Sequence, residues 1–206
     1  MEDVLEVYKK PYDPIRPVIC LDETNRQLIG EVTPPIPVSS GQPHKYDYEY
    51  VRNGVANIFM MFEPLASRRY TAVTETRTKV DFANCLQALS DKYYPQAEKI
   101  LIVMDNLNTH TLASLYEAFA PDEARRLAER FEIHYTPKHG SWLNMAEIEI
   151  GVMSKQCLNR RIPSKEEMAY QVNAWTCSRN SANLTVNWRF TTTDARIKLK
   201  RLYPKF

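Results

Sequence analysis

The sequence predicts an α/β fold in which helices pack on both faces of a mixed sheet. Residues 17–21 (PVICL) and 100–104 (ILIVM) are short, continuously apolar runs of strand length. Such runs are typical of strands that are buried on both faces of a sheet. Strand-like segments dominate the first half of the chain, whereas helices alternate with two strands in the second half. This order of elements favours a single mixed sheet covered by helices.

The chain begins with a helical pattern and then contains three closely spaced prolines before residue 18. We interpret residues 1–17 as a linker segment that leads into a domain. The first strand is expected over residues 18–22, and residues 26–32 can pair back against it. The proline-rich segment 33–45 is expected to be a long surface loop.

A hairpin is predicted around Asn53-Gly54, because this dipeptide lies between the strand-like segments 46–51 and 55–63 and is a strong two-residue turn signal. Residues 69–75 read as a further strand. In the second half, the periodicity predicts helices at 80–93, 111–119, from 121 onward, at about 143–158 and at 164–179, with a strand at 131–136.

Composition describes an ordinary globular chain of 206 residues, with 44% hydrophobic and 25% charged residues and a net charge of +2. The mild basic bias permits nucleic-acid binding without arguing for it. No apolar run approaches the length of a membrane span, and no signal peptide is visible. The four scattered cysteines indicate reduced thiols in a cytoplasmic protein.

Each of the two apolar runs delivers a carboxylate, because the first ends in Asp22 and the second in Asp105. Ligands of open α/β sheets bind at the carboxyl ends of their strands. If the strands are neighbours, the two aspartates can share a divalent cation such as Mg²⁺, which prefers carboxylate oxygens. Either aspartate alone reads more simply as a turn or cap residue, and only the pair favours a metal site.

A third carboxylate is sought on the helix after the last strand, where Glu147 and Glu149 are candidates. The helix has one apolar stripe, and the two glutamates fall on opposite flanks of it. Periodicity therefore leaves the choice open. The stripe consists of Leu143, Ala146, Ile150, Met153 and Cys157.

Three blocks, VICLDE, ILIVMDNLNTH and YTPKHGSWLNMAEIE, resemble the catalytic blocks of DDE transposases, in particular the bacterial insertion-sequence branch of the mariner-like superfamily. The resemblance implies a ribonuclease H-like fold with a five-stranded sheet. It places Asp22 on the central first strand and Asp105 at the adjacent fourth strand, and it selects Glu147 as the third acid.

The resemblance further implies cleavage of DNA phosphodiesters at transposon ends and strand transfer into target DNA. Two Mg²⁺ or Mn²⁺ ions would serve as cofactors. Asp22 would bridge the ions, while Asp105 would hold one and Glu147 the other. The implied partners are transposon-end and target DNA and, in the active form, a second copy of the chain. A bacterial protein of this kind would be cytoplasmic and associated with the nucleoid when bound to DNA.

Further residues near the three blocks are candidates for supporting roles. Side chains that could orient metal ligands or contact phosphate are Glu23, Asn106, His110 and Asn144. A loop with a cation beside an aromatic ring suits DNA, and it holds Lys138, His139 and Trp142. Local packing is the simpler alternative for His110, and packing on the sheet edge is the simpler alternative for Trp142.

On this interpretation residues 18–206 form the catalytic domain, and the helix-turn-helix modules that precede such domains are expected to be absent from this polypeptide. Two other functions stay open. One is a general ribonuclease H-like nuclease or resolvase that uses the same acids. The other is a non-catalytic remnant that binds DNA or dimerises. Metal-dependent nicking and the joining of a 3′ end to a second duplex distinguish these possibilities.

Overall fold

The computed structural model describes residues 1–138 and 140–203, and within them five strands form one sheet. Across the sheet the order is β3-β2-β1-β4-β5, with β1 antiparallel to β2 and parallel to β4. The predicted mixed five-stranded sheet, with its first strand at the centre, is confirmed. The strands are β1 (Val18–Glu31), β2 (Tyr50–Glu63), β3 (Arg68–Thr74), β4 (Ile100–Met104) and β5 (Phe131–Tyr135).

Helices cover both faces of the sheet, as expected. One face packs against α1, α5, α6 and α7, and the other against α2, α3 and α4. A π-helical turn (Ala88–Tyr93) continues α2, so the predicted helix at 80–93 is helical throughout. The helices are α1 (Glu2–Tyr8), α2 (Lys79–Gln87), α3 (Ala113–Ala118), α4 (Pro121–Ala128), α5 (Met145–Gln156), α6 (Lys165–Ser181) and α7 (Thr192–Lys198).

Two details of the strand prediction are wrong. Residues 26–32 do not pair back against the first strand, because β1 continues without a break to Glu31. Asn53-Gly54 is not a hairpin turn but a bulge inside β2, where the two residues lie opposite Leu28 of β1. Gly54 has a φ of +101°, and a bulge needs this backbone freedom just as a turn does. The connection between β1 and β2 is instead the exposed segment 32–49.

The segment that the sequence suggests as a linker packs on the domain in its first half. Helix α1 buries Val4, Leu5 and Val7 in the same core as β1 and β2. The hydroxyl of Tyr8 donates a hydrogen bond of 2.7 Å to the carbonyl of Leu143, just before α5. Residues 1–8 therefore contribute to the core of the domain.

Hydropathy gives no indication of a membrane span in the described ranges: none of their helices is both long enough and apolar enough to cross a bilayer.

Candidate active site beside β1 and the carboxyl end of β4

The parallel pairing of β1 with β4 brings Asp22 and Asp105 side by side. Cys20 of β1 is paired with Val103 of β4. Extending this register by two residues places Asp22 beside Asp105. Side chains alternate between the faces of a strand, so Asp22 follows Cys20 onto the face that α5 covers. The two aspartates that end the apolar runs thus meet on one face of the sheet, where β4 ends and β1 continues to Glu31.

Asp22 lies in a partly buried position among other carboxylates. Its Oδ1 accepts a hydrogen bond of 2.8 Å from the Glu23 amide. Burial raises the pKa of Asp22, and the negative charges of Glu23, Asp105 and Glu147 raise it further, to about 7, although the Glu23 amide acts in the opposite direction. Glu147 is therefore close enough to Asp22 for the two charges to repel each other.

His110 holds the carboxylate of Asp105. Its Nδ1 lies 2.5 Å from Asp105 Oδ1, and its Nε2 lies 2.9 Å from Glu23 Oε2. Burial opposes a charge on His110, but its hydrogen bond to Asp105 and the close negative charge of Glu23 outweigh burial and raise its pKa to about 9. The hydrogen bond from His110 in turn lowers the pKa of Asp105. The imidazolium is thus placed to bridge and orient the two carboxylates.

The bridge explains why His110 and Glu23 are buried although both are polar. His110 is 1% exposed and packs on Phe82 of α2, with the ring centroids 4.9 Å apart. Glu23 points to this same face because it alternates with Asp22 along β1. Arg77 approaches Glu23 at 3.7 Å from the outside. His110 therefore packs locally on Phe82, as the simpler alternative for this residue predicts, and it contacts Asp105 as well.

Helix α5 presents Glu147 in its first turn. Asn144 caps the helix, since its side-chain oxygen accepts from the Ala146 amide at 3.1 Å. Glu147 is partly exposed, and no ion pair in the described ranges involves it or Asp22. Its carboxylate is therefore available to a ligand.

Glu149, the other candidate for the third acid, is bound elsewhere. It is fully buried, and both of its oxygens accept hydrogen bonds from the guanidinium of Arg69 on β3, at 2.8 and 3.0 Å. Arg179 of α6 donates two more at 3.1 Å. Burial favours the neutral acid, but the hydrogen bonds from Arg69 and Arg179 outweigh it and keep the pKa of Glu149 below its usual value.

A cleft opens beside Asp105 between the segments that follow β4 and β5. Asn106 and Lys138 are exposed there. Trp142 is 44% exposed, and its ring lies 6.3 Å from that of Trp188, so it packs on a neighbouring aromatic ring and still offers surface to solvent. His139, which the sequence also suggests, lies outside the described residues. The cleft is lined by Asp105, Asn106, Leu107, Thr136, Pro137, Lys138 and Ser141.

The sequence did not single out the aromatic residues behind Trp142. Val186, Trp188 and Phe190 pack against the core, and Tyr8 lies against Trp188 at 5.2 Å. In the sequence these residues alternate with polar residues along 186–190, and this pattern could have indicated that they face the core. Arg69 and Arg179, the partners of Glu149, gave no sequence signal because they come from distant segments.

The donor set suits a hard divalent cation, since it consists of carboxylate oxygens that repel one another. Burial raises the pKa of Asp22 most, and the repulsion from the neighbouring carboxylates adds to that shift. Asp105 turns toward His110, and no three His, Cys, Asp or Glu side chains among residues 1–138 and 140–203 are grouped tightly enough to hold a metal ion. The residue types therefore fit the cation, and His110 holds Asp105 through Oδ1, which leaves Oδ2 as the oxygen that would bind the cation.

Comparison with known proteins identifies the class. The family model described as DDE superfamily endonuclease matches residues 17–169, which is more than half of the chain, and the chain belongs to this family. No curated protein matches the chain at a significant level.

Solved structures with the same fold include complexes of Mos1 mariner transposase. The strand transfer complex matches with a TM-score of 0.59 and 16% identity, covering 88% of this chain and 53% of that chain. The paired-end complex with Mn matches with a TM-score of 0.56 and 16% identity, covering 88% and 55%. The chain spans about half the length of these proteins. At this identity the likeness shows the fold, and it confirms the ribonuclease H-like architecture.

Proposed function

We propose that this chain is the catalytic domain of a transposase, which cleaves DNA phosphodiesters at transposon ends and transfers the strand into target DNA. The observation that carries this proposal is the register of β1 and β4, which brings Asp22 beside Asp105 while α5 adds the nearby charge of Glu147. Membership of the DDE endonuclease family supports it.

The residues proposed to hold two Mg²⁺ or Mn²⁺ ions are Asp22, Asp105 and Glu147. When bound, two such ions activate the attacking oxygen and stabilise the leaving oxygen of an in-line displacement. Solved structures of Mos1 transposase with Mn and with Mg support this choice of cations. Asp22 is central among the acids, since it interacts with the charges of both others, and it is therefore the proposed bridging ligand.

The remaining site residues are proposed to position these acids and the DNA. His110 holds Asp105 from the face opposite α5, and Glu23 contacts the other nitrogen of His110, so the pair fixes one acid without occupying the cleft. Lys138 and Asn106 lie exposed beside Asp105 and suit the phosphate backbone. Trp142 offers a ring face for an unstacked base. His139 stays a candidate phosphate contact from the sequence.

Two displacements at phosphorus follow from this assignment. In cleavage, a water oxygen bonds to phosphorus and the P–O3′ bond breaks, so the 3′ oxygen takes a proton and the phosphate stays on the other fragment. In strand transfer, the 3′-hydroxyl oxygen bonds to a target phosphorus and loses its proton to solvent, while the target P–O3′ bond breaks and the released 3′ oxygen takes a proton from solvent. The same carboxylates serve both steps, because each step is an attack of an oxygen on a phosphodiester.

The proposed partners are transposon-end DNA and target DNA, and the proposed active form is a dimer, because two ends require two catalytic centres. The solved complexes of Mos1 transposase include paired ends and a strand transfer complex, which supports such an assembly. For a bacterial protein, this activity belongs in the cytoplasm at the nucleoid.

Nicking of supercoiled DNA tests the proposal most directly. We expect the chain to nick a supercoiled plasmid in Mn²⁺ but not in EDTA. Asp22→Asn, Asp105→Asn and Glu147→Gln should each abolish the nicking. Asp122→Asn, which removes an exposed carboxylate of α4 on the opposite face of the sheet, is the matched control and should nick normally. No nicking by the unmodified chain would contradict the proposal and favour a non-catalytic DNA-binding remnant.

A second assay separates a transposase from a general nuclease. Labelled duplexes with a recessed 3′-hydroxyl are incubated with a supercoiled plasmid, and transfer of the label to the plasmid is measured. Label transfer that requires the 3′-hydroxyl supports strand transfer. Nicking without any label transfer would instead identify a ribonuclease H-like nuclease or resolvase.

A further inference from the structure

Asn144 connects the strand that carries Asp22 to the helix that carries Glu147. Its side chain is fully buried. The amide oxygen accepts from the Ala146 backbone at 3.1 Å, and the amide nitrogen donates to the Leu21 carbonyl at 2.8 Å. The same nitrogen lies 3.4 Å from Asp22 Oδ2. One side chain thus spans from the residue before Asp22 to the first turn of α5.

The chemistry of the contacts fixes the orientation of this amide. The Leu21 carbonyl can only accept and the Ala146 amide can only donate, so the nitrogen must face β1 and the oxygen must face α5. Aspartate would keep the cap but would place a second carboxylate against a carbonyl oxygen and Asp22. Serine would also keep the cap, but it is too short to supply the second contact. Asparagine is therefore the side chain that satisfies both partners.

The link lies close to the two acids along the chain. Leu21 immediately precedes Asp22, and the Glu147 amide donates to the Asn144 carbonyl at 3.1 Å. Tyr8 holds the preceding residue through the carbonyl of Leu143. A shift at Asn144 would therefore move the start of α5, and with it Glu147, relative to Asp22.

We propose that Asn144 is a positioning residue that sets the separation of Asp22 and Glu147 and thereby the affinity of the site for divalent metal. The inference rests on the proposed function, since it takes these two carboxylates as metal ligands. It differs from a purely structural role, in which Asn144 would stabilise the fold without affecting metal binding.

Calorimetric titration of Mn²⁺ into the full chain, without DNA, tests the positioning role in Asn144→Ser, which keeps the cap and removes the link to β1. We expect the dissociation constant for Mn²⁺ to rise by about tenfold or more, the usual size of such outer-sphere effects. Hydrogen exchange without metal should show faster exchange at the amide of Glu147, because the start of α5 is no longer linked to β1.

The matched control is Thr176→Val. Thr176 is also buried, and its hydroxyl links α6 to Thr71 of β3 at 3.1 Å. The control removes a comparable interior hydrogen bond far from the acids. It should lower the thermal midpoint to a similar extent, with the Mn²⁺ dissociation constant unchanged within about twofold, because its lost contacts do not involve the metal ligands.

The outcomes are distinguishable. Equal Mn²⁺ affinity in Asn144→Ser and the unmodified chain would overturn the positioning role while leaving the proposed function intact. No Mn²⁺ binding by the unmodified chain would overturn both proposals.

If Asn144→Ser does not fold, Asn144→Asp serves in its place, because it has the same shape and keeps the cap. Weaker Mn²⁺ binding despite its extra negative charge would support positioning, and equal or tighter binding would overturn it.

Discussion

Glu147 and Glu149 lie two residues apart on α5, yet their surroundings are opposite. Helical geometry separates them by about 200° around the axis. Glu147 is partly exposed and contributes to the negative charge around Asp22. Glu149 is fully buried between Arg69 and Arg179. The comparison teaches that the environment of a carboxylate, more than its position in a motif, decides whether it can bind a ligand or hold the fold together.

The largest expected effect is on stability, from Glu149→Ala. The substitution leaves Arg69 charged and fully buried without its carboxylate, which we expect to cost about 3–5 kcal/mol of unfolding free energy. Glu147→Ala, the matched control on the same helix, should cost less than about 1 kcal/mol, because it removes a partly exposed side chain. Urea unfolding followed by circular dichroism measures both, and equal losses would refute the division of roles.

The next effect is on activity, from Glu147→Gln. We expect the rate of plasmid nicking in Mn²⁺ to fall by at least about a hundredfold, as for the loss of a group that stabilises charge in the transition state. The unfolding free energy should stay equal or rise slightly, because a negative charge near Asp22 is removed. A variant that nicks at the normal rate would show that Glu147 is not the third acid.

A third prediction concerns the histidine bridge. In His110→Ala, Asp105 loses its hydrogen-bond donor, and we expect the Mn²⁺ dissociation constant to rise by about tenfold. His134 is the matched control, since it also lies between two carboxylates, Asp3 at 2.8 Å and Glu132 at 3.1 Å. Calorimetry should show unchanged Mn²⁺ affinity in His134→Ala, and an equal loss in both variants would argue against a specific role for His110.

A smaller effect on stability is expected from Arg179→Met, which removes the more exposed of the two arginines that bind Glu149. Arg179 is 17% exposed whereas Arg69 is fully buried. Arg179→Met should cost about 1–2 kcal/mol, since Glu149 keeps its bidentate partner. Arg69→Met should cost clearly more, because it also removes the donor to the Leu184 carbonyl. Unfolding in urea compares the two, and the reverse order would show that Arg179 is the main partner of Glu149.

The sequence by itself determined the outline of the fold and the candidate acids. Apolar runs of strand length predicted β1 and β4 because a strand buried on both faces needs continuous apolar character. The helical stripe at 80–93 predicted α2 for a similar reason, since Phe82 and Leu86 face the core. These signals are local, and burial imposes them directly on neighbouring residues.

Tertiary structure alone decided how the strands pair. Asn53-Gly54 carries a strong turn signal, but the turn lies in the segment 32–49 and the glycine serves a bulge. A local motif indicates which backbone angles a residue can adopt, and a hairpin turn and a bulge both need a positive φ. Only the long pairing of β1 with β2 selects between them.

The tertiary structure also determined which side chains each acid contacts. Helical periodicity gives the direction of Glu147 and Glu149 but not what they meet. Arg69 reaches Glu149 from a strand far away in the sequence, and His110 reaches Glu23 across the face of the sheet opposite α5. Interactions between distant segments depend on how the elements pack. The sequence therefore identified the carboxylates, but only the fold determined that Glu147 lies at the candidate site and Glu149 in the core.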